Sequence, residues 1–183
     1  WGGLAAVGVA AGLVVSAGTG TAMVAARGED VAHVTGSAVG GGTLLGLSKL
    51  ILGTSDVGEI DQLALAGDVS AVDIMLREAV GGEVGRLPAD ANAVNLGKLV
   101  EGRAFSREDL AAGLVRLVAQ VIAVIAINAA DAAGLKHIIV AQHATRGRRL
   151  LGVVHRQLAT RSTPAPAQLV GSAVVAVTHP GFQ

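Results

Sequence analysis

Apolar and polar positions along the chain follow two periods, and each period predicts one kind of element. Short apolar runs bounded by glycine or charged residues are typical of buried strands, whereas apolar residues that recur every three or four positions indicate helices. Runs of the first kind cover residues 12–16, 22–26, 31–34 and 137–141. Segments of the second kind cover residues 43–53 and 106–130. Strands and helices of this order predict an α/β lobe over residues 1–183, with helices packed on a mixed sheet.

Capping residues refine the ends of these helices. Gly53 and Gly134 stand where the helices over residues 43–53 and 106–130 should end, because glycine closes helices at low steric cost. Ser106, followed three residues later by Asp109, predicts the start of the longest helix as an acidic capping box. Ser55 is the predicted N-cap of another helix. Residues 66–76 are predicted to form a turn and a further helix.

Residues 110–127 are apolar over a length that is close to a membrane span. Arg116 and Gln120 lie four residues apart and interrupt the apolar surround on one face. We therefore expect a core or interface helix and no membrane partner.

Composition narrows the possible partners. Only 15% of the 183 residues are charged and the formal net charge is zero, so the basic excess expected of a nucleic-acid-binding protein is absent. The chain has no cysteine, which excludes disulfides and agrees with a cytoplasmic protein. Aromatic residues are scarce, so subunit association is expected to add to a core built from small aliphatic side chains.

Side chains for metal or nucleophilic chemistry show no recognisable spacing. The five histidines form no i, i+4 pair and have no carboxylate at ligand spacing, so we predict no histidine metal site. They are His33, His137, His143, His155 and His179. No Gly-x-Ser-x-Gly motif is present either. Asp68 and Asp73 do not share a helical face, and we expect them to have capping or surface roles.

Two glycine-rich turns are the candidate anion sites. Residues 18–21 read Gly-Thr-Gly-Thr between two predicted strands, and residues 40–43 read Gly-Gly-Gly-Thr at the start of a predicted helix. Glycine allows backbone N–H groups to approach a ligand closely, and a helix N-terminus adds donors and partial positive charge. The alternatives are an ordinary hairpin and a plain glycine-rich turn.

The wording of residues 35–50, Thr-Gly-Ser-Ala-Val-Gly-Gly-Gly-Thr-Leu-Leu-Gly-Leu-Ser-Lys-Leu, resembles the glycine-rich segment of the type II (eukaryotic-like) pantothenate kinases. Residues 16–22 stand where that family has a Gly-Ser/Thr-Gly-x-Ser phosphate motif. The family belongs to the acetate kinase, sugar kinase, Hsp70 and actin superfamily. The resemblance therefore implies that this chain is the C-terminal lobe of such a kinase, with an actin-like ATPase or ribonuclease H-like fold.

This resemblance implies ATP-dependent phosphorylation of pantothenate in coenzyme A biosynthesis, with Mg as the metal, in a homodimer. It implies that the nucleotide phosphates, of ATP or ADP, contact Gly18, Thr19, Gly20, Thr21 and Arg146. It implies that the pantothenate or coenzyme A side is formed by His33, Gly40, Gly41, Gly42 and Thr43. On that basis, the side chain introduced by Gly41→Val would occupy the position of the bound anion.

Departures from the family pattern keep the function open. Ala22 replaces a serine and His33 an arginine that the family uses to hold pantothenate, and residues 141–146 lack the glycine of the family's adenosine turn. The family's opening Asp-x-Gly-Gly-Thr motif and its general-base glutamate have no counterpart here, so the catalytic residues are unknown and this chain alone is expected to be inactive. Two hypotheses remain: a lobe of a pantothenate kinase, or a non-catalytic relative that binds a nucleotide, coenzyme A or a partner subunit.

Overall fold

A computed structural model describes residues 8–85, 87–141, 153–154, 168–170 and 174–178. The chain divides into two compact units, one formed by the residues up to Leu44 together with those from Val118 onwards, and the other by Leu45–Leu117. Each unit has its own buried residues. The single lobe expected over residues 1–183 stays a prediction.

The described part contains both strands and helices. Its strands are β1 (Ala11–Ala17), β2 (Thr21–Arg27), β3 (Asp30–Ser37), β4 (Ile74–Met75), β5 (Asn92–Val94), β6 (His137–Ala141), β7 (Gln168–Val170) and β8 (Val174–Thr178). Its α-helices are α1 (Gly41–Leu52), α2 (Val57–Ala66), α3 (Leu76–Ala79) and α4 (Arg107–Ala132).

The first unit contains a six-stranded sheet with the order β3-β2-β1-β6-β8-β7. Strands β1 and β6 run parallel, with Leu13 beside Ile138, and every other pair of neighbours is antiparallel. The α/β class with a mixed sheet is therefore confirmed, as are the strands expected between residues 12 and 34 and at 137–141. The narrower actin-like or ribonuclease H-like assignment stays a prediction.

Buried apolar side chains on one face anchor strands β1 and β2, which both have a neighbouring strand on each side. Leu13 and Val15 on β1, and Met23 on β2, are fully buried, whereas Ser16 and Ala22 near the connecting turn are exposed. Burial of such side chains stabilises each strand by roughly 1.5–3 kcal/mol per large apolar residue. The second half of α4 adds further buried residues to this unit, including Val118, Ile122 and Ala126.

Helices α1 and α4 agree closely with the sequence expectation. Gly53 follows α1 with a φ of +79°, and Gly134 follows α4 with a φ of +63°, so both adopt the left-handed conformation expected at a helix C-terminus. The Ser106 hydroxyl accepts the Asp109 N–H at 3.0 Å, which confirms that serine as the cap of α4. The Asp109 carboxylate does not complete a capping box with Ser106, since it accepts the Asp68 N–H at 2.7 Å.

In the second unit, two sequence predictions are wrong. The cap of α2 is Asp56, whose carboxylate accepts the Glu59 N–H at 2.8 Å, and not Ser55. The helix predicted within 66–76 is not an α-helix but a 3₁₀ helix of three residues, Val69–Ala71. Asp68 accepts both the N–H and the hydroxyl of Ser70, which closes a short 3₁₀ turn, and the chain then enters β4.

Within the described residues, α4 is the helix whose length and apolar composition would allow it to cross a membrane. Half of its most apolar stretch is buried inside the protein. A core helix meets the same criteria of length and composition as a membrane span. The expectation that the chain has no membrane partner stays a prediction.

Candidate functional site

The β1–β2 hairpin of the first unit ends in a tight turn formed by Gly18, Thr19 and Gly20. Ala17 and Thr21 form the last strand pair, and the Gly18 N–H donates to the Gly20 carbonyl at 2.8 Å. Neither glycine of the turn has a positive φ, so left-handed backbone is not the reason for glycine here. The carbonyl groups of Gly18 and Thr19 instead point towards the start of α1, where they find donors.

Helix α1 begins directly against this turn. The Gly41 N–H donates to the Gly18 carbonyl, and the Gly42 N–H donates to the Thr19 carbonyl, each at 2.8 Å. A helix N-terminus has N–H groups without partners inside the helix, and the hairpin turn satisfies two of them. The sequence assigns the N–H groups of Gly41 and Gly42 to a bound anion. In the structure, both donate to carbonyl groups of the chain itself.

Close backbone contact explains the three consecutive glycines. A Cβ at position 40 would lie 2.8 Å from the Gly20 Cα, and a Cβ at position 41 would lie 2.9 Å from the Gly18 carbonyl oxygen. A Cβ at position 42 would lie 2.7 Å from the methyl group of Thr19. Atoms do not pack at such distances, so any side chain would push α1 away from the turn.

Hydroxyl groups hold the segment between β3 and α1. The buried Thr21 hydroxyl donates to the Val39 carbonyl at 2.9 Å, and the Ser37 hydroxyl accepts the Val39 N–H at 3.0 Å. The Thr43 hydroxyl donates to the Ala38 carbonyl at 3.2 Å and accepts the Gly40 N–H at 3.3 Å. Thr21 and Thr43, both predicted as ligand-binding, therefore have a structural role in this conformation.

Donors remain at the tip of the turn. Within the described part of the chain, the backbone N–H groups of Thr19 and Gly20 and the hydroxyl of Thr19 donate to no other group. Thr19 is exposed. Three donors on two neighbouring residues can contact the oxygens of one anion, as in other backbone turns that bind phosphate.

The structure brings together most of the predicted site residues but not all of them. The two glycine-rich segments meet, as their hydrogen bonds show. His33 lies on β3 opposite Val24, four residues before Ser37, which places it about 13 Å along the strand from the turn. It is exposed. Arg146 lies outside the described residues.

Charge at the turn favours an anion over a cation. On β1, β2 and β3 with their connecting turns, the acidic residues are Glu29 and Asp30, both at the β2–β3 turn at the opposite end of β2. The described residues contain no group of three or more His, Asp or Glu side chains placed to hold a metal ion. The turn therefore does not fit a protein-bound Mg²⁺, which prefers carboxylate oxygens.

A buried carboxyl group in the second unit is the feature that sequence reasoning missed. Asp73 is fully buried, and its Oδ1 accepts the Leu96 N–H at 2.8 Å, so the expected capping or surface role is wrong for this residue. Asp68 does have the expected capping role. The signal for Asp73 was present in the sequence, since Val72 and Ile74 flank it and Met75 and Leu76 follow. An ionisable residue inside such an apolar run is unusual.

Comparison with known proteins places these features in a family. The model of the Fumble family matches residues 11–152, which is most of the chain and includes both glycine-rich segments. This chain belongs to the Fumble family. The resemblance to type II pantothenate kinases is thereby confirmed.

Individual relatives of this Fumble-family chain are named pantothenate kinases. It is 35% identical over 133 residues to "Pantothenate kinase 1" of Oryza sativa subsp. japonica, which covers 69% of this chain and 20% of the rice protein. It is 29% identical over 127 residues to a "Type II pantothenate kinase" of Oceanobacillus iheyensis, covering 69% of this chain and 47% of the relative. A Staphylococcus epidermidis protein of the same name is 29% identical over 129 residues, covering 49% of its length. The chain thus spans between a fifth and about half of these curated relatives.

Proposed function

We propose that this chain forms part of an ATP-dependent pantothenate kinase and supplies its contacts to the phosphates of ATP. The match of the Fumble family over residues 11–152 is the observation that carries this proposal, because it includes the turn and the start of α1. The names of the relatives support pantothenate as the acceptor. Transfer of the γ-phosphate of ATP to pantothenate opens coenzyme A biosynthesis.

The tip of the hairpin is the proposed contact with the nucleotide phosphates. The N–H groups of Thr19 and Gly20 and the Thr19 hydroxyl would donate to phosphate oxygens, with Arg146 as the proposed cationic partner. Gly18 and Thr21 would act through the shape of the turn, because their groups are engaged in it. Donors held by hairpin and helix need no rearrangement to receive an anion, which favours binding.

The acceptor side is proposed to lie along β3 and the start of α1. His33, Gly40 and Thr43 would border pantothenate or coenzyme A there, while Gly41 and Gly42 would fix the helix against the turn. Mg²⁺ would be bound by the ATP phosphates, because the turn offers no carboxylate for it. Metal-bound phosphates carry less negative charge, which is the contribution that the ion makes to phosphoryl transfer.

A non-catalytic relative is the second candidate, and one observation favours it. Phosphoryl transfer needs a carboxylate that orients the accepting hydroxyl, besides a phosphate cradle and a metal. Residues 11–53 carry their acidic residues, Glu29 and Asp30, only at the far end of β2. A chain that keeps the cradle without such a base would bind nucleotide, coenzyme A or a partner subunit and transfer nothing.

Turnover and ATP binding test the two candidates in turn. The purified chain is mixed with ATP, MgCl₂ and pantothenate, and ADP release is followed with and without pantothenate. Release that depends on pantothenate supports the kinase and rules out the non-catalytic relative. Saturable ATP binding without such release, the result expected of this chain alone, supports the phosphate contacts that both candidates share. Absence of ATP binding refutes the proposed phosphate contacts and leaves a relative that binds coenzyme A or a partner subunit.

A homodimer and a cytoplasmic location are also proposed. A homodimer would cover the half of the apolar stretch of α4 that the protein leaves unburied. Sedimentation velocity at micromolar concentration should give the dimer mass, and a monomer mass would contradict the proposal. The cytoplasmic location is proposed because the lack of cysteine agrees with a reducing compartment.

A further inference from the structure

The buried carboxyl group of Asp73 lies in the second unit, Leu45–Leu117, apart from the glycine-rich turns. Its side chain is fully buried. Oδ1 accepts the Leu96 N–H at 2.8 Å, whereas no donor among the described residues reaches Oδ2. A carboxyl group in this setting is only partly satisfied, and such a group is costly to keep ionised.

Asp73 holds a turn whose backbone is unfavourable by itself. Leu96 has a φ of +55° and a ψ of +20°, and no other described residue apart from glycine has a positive φ. The left-handed conformation costs a leucine on the order of 1 kcal/mol or more. The bond from the Leu96 N–H to Asp73 is therefore one of the contacts that keep this residue in place.

Neighbouring contacts join the same turn to the segment that carries Asp73. The Lys98 N–H donates to the Val72 carbonyl at 3.0 Å. A Cβ at position 97 would lie 2.7 Å from the Ile74 side chain, so the chain passes close to β4. Residues 96–98, which we call the Leu96 turn, are thus fastened to residues 72–74 by one backbone hydrogen bond, by the hydrogen bond to the Asp73 side chain and by tight packing.

The charged groups that face Asp73 only partly offset its burial. Burial raises the pKa of the Asp73 carboxyl from 3.8 to about 6, while the Leu96 N–H and the positive charges of Arg116 on α4 and Lys98 lower it. Lys98 is itself paired, since its Nζ donates to Glu78 at 2.6 Å and to the Ser70 carbonyl at 2.8 Å. Its charge is therefore largely compensated.

We propose that Asp73 is a pH-sensitive latch for the Leu96 turn. A protonated carboxyl group stays buried and keeps the turn closed. An ionised carboxylate gains water when the turn opens, so ionisation shifts the equilibrium towards the open conformation. The latch makes the 92–101 segment more dynamic at neutral pH than at mildly acidic pH.

The sign and size of the effect follow from linkage. The closed conformation has the raised pKa of about 6, and in the open one the carboxyl group returns towards its ordinary 3.8. Closure is therefore favoured below pH 3.8 and progressively weakened as pH rises through 6. Between pH 5 and pH 8 the opening equilibrium should increase on the order of tenfold.

Hydrogen–deuterium exchange of the whole chain, read by mass spectrometry, tests the latch. After correction for the intrinsic pH dependence of exchange, peptides that cover residues 92–101 should lose roughly tenfold in protection from pH 5 to pH 8. Peptides from the β1–β2 hairpin should show no such loss. Equal protection of the 92–101 peptides at both pH values would overturn the proposal.

Variants assign the effect to one carboxyl group. Asp73→Asn should abolish the pH dependence, and Asp68→Asn, which changes an exposed capping carboxylate, should preserve it. Persistence of the dependence in Asp73→Asn refutes the latch. A direct carbon-13 NMR titration of aspartate carboxyl groups in the unmodified protein covers the case in which Asp73→Asn does not fold. One aspartate should titrate near pH 6, and midpoints below 5 for all of them would refute the proposal.

Discussion

The substitution Gly41→Ala tests whether position 41 must be glycine for α1 to contact the hairpin turn. The new Cβ would lie 2.9 Å from the Gly18 carbonyl oxygen, which is a backbone atom that cannot rotate away. Gly46 is the matched control, because it lies in the same helix and has no atom within 4 Å of the position of its Cβ. Neither glycine has a positive φ, so alanine is not strained by backbone conformation at either site.

The structure gives opposite signs for the two substitutions. Gly46→Ala should raise the free energy of unfolding by about 0.5–1 kcal/mol, because alanine loses less conformational entropy in a helix. Gly41→Ala should separate α1 from the turn and weaken the hydrogen bonds to the Gly18 and Thr19 carbonyls. Each of these bonds contributes about 1 kcal/mol, so a net loss of about 2 kcal/mol is expected.

Urea denaturation followed by circular dichroism at 222 nm measures both changes. The two variants should differ by about 3 kcal/mol in unfolding free energy at an unchanged dependence on urea. A Gly41→Ala variant at least as stable as the unmodified chain would refute the close-contact explanation. Loss of stability in Gly46→Ala would show that α1 itself, and not its contact with the turn, is sensitive to alanine.

Two further substitutions probe single hydrogen bonds, again by urea denaturation. Thr21→Val removes the donor to the Val39 carbonyl and should cost about 1–2 kcal/mol, while Thr21→Ser should retain most of the stability; equal effects would show that the hydroxyl is not the important group. Ser106→Ala removes the cap of α4 and should cost about 1 kcal/mol, whereas Ser55→Ala should change stability by less than about 0.5 kcal/mol because Asp56 caps α2. A larger loss in Ser55→Ala than in Ser106→Ala would contradict these cap assignments.

Local signals were sufficient for most of the elements. Short apolar runs separated by glycine predicted β1, β2 and β6, and the glycines at 53 and 134 marked helix ends where only a left-handed residue fits. Between 66 and 76 the pattern failed, because the Asp68 side chain bonds to Ser70 and competes with helix formation. Sequence patterns do not distinguish a helix from a turn when a side-chain oxygen can accept the N–H bond that a helix would give to a backbone carbonyl.

The sequence predicted where the candidate site lies, but it did not predict which hydrogen bonds form there. Residue types indicated that residues 18–21 and 40–43 are special, yet the Gly41 N–H is used by Gly18 because two segments distant in sequence pack together. The apolar neighbours of Asp73 indicated its burial, but its hydrogen-bond donor, the Leu96 N–H, lies 23 residues away and could not be predicted. Such contacts are set by tertiary structure and leave no periodic signal in the sequence.

Isothermal titration of ATP into the chain and into two Thr19 variants tests the central claim most directly. Thr19→Val keeps the branched shape, with a methyl group beside Gly42, but removes the exposed hydroxyl, whereas Thr19→Ser keeps the hydroxyl. A hydrogen bond to a charged phosphate is worth about 1.5–3 kcal/mol, so Thr19→Val should weaken ATP binding on the order of tenfold or more while Thr19→Ser stays near the unmodified chain. Absence of ATP binding in the unmodified chain, or equal affinity in Thr19→Val, would contradict the assignment of this turn to the nucleotide phosphates.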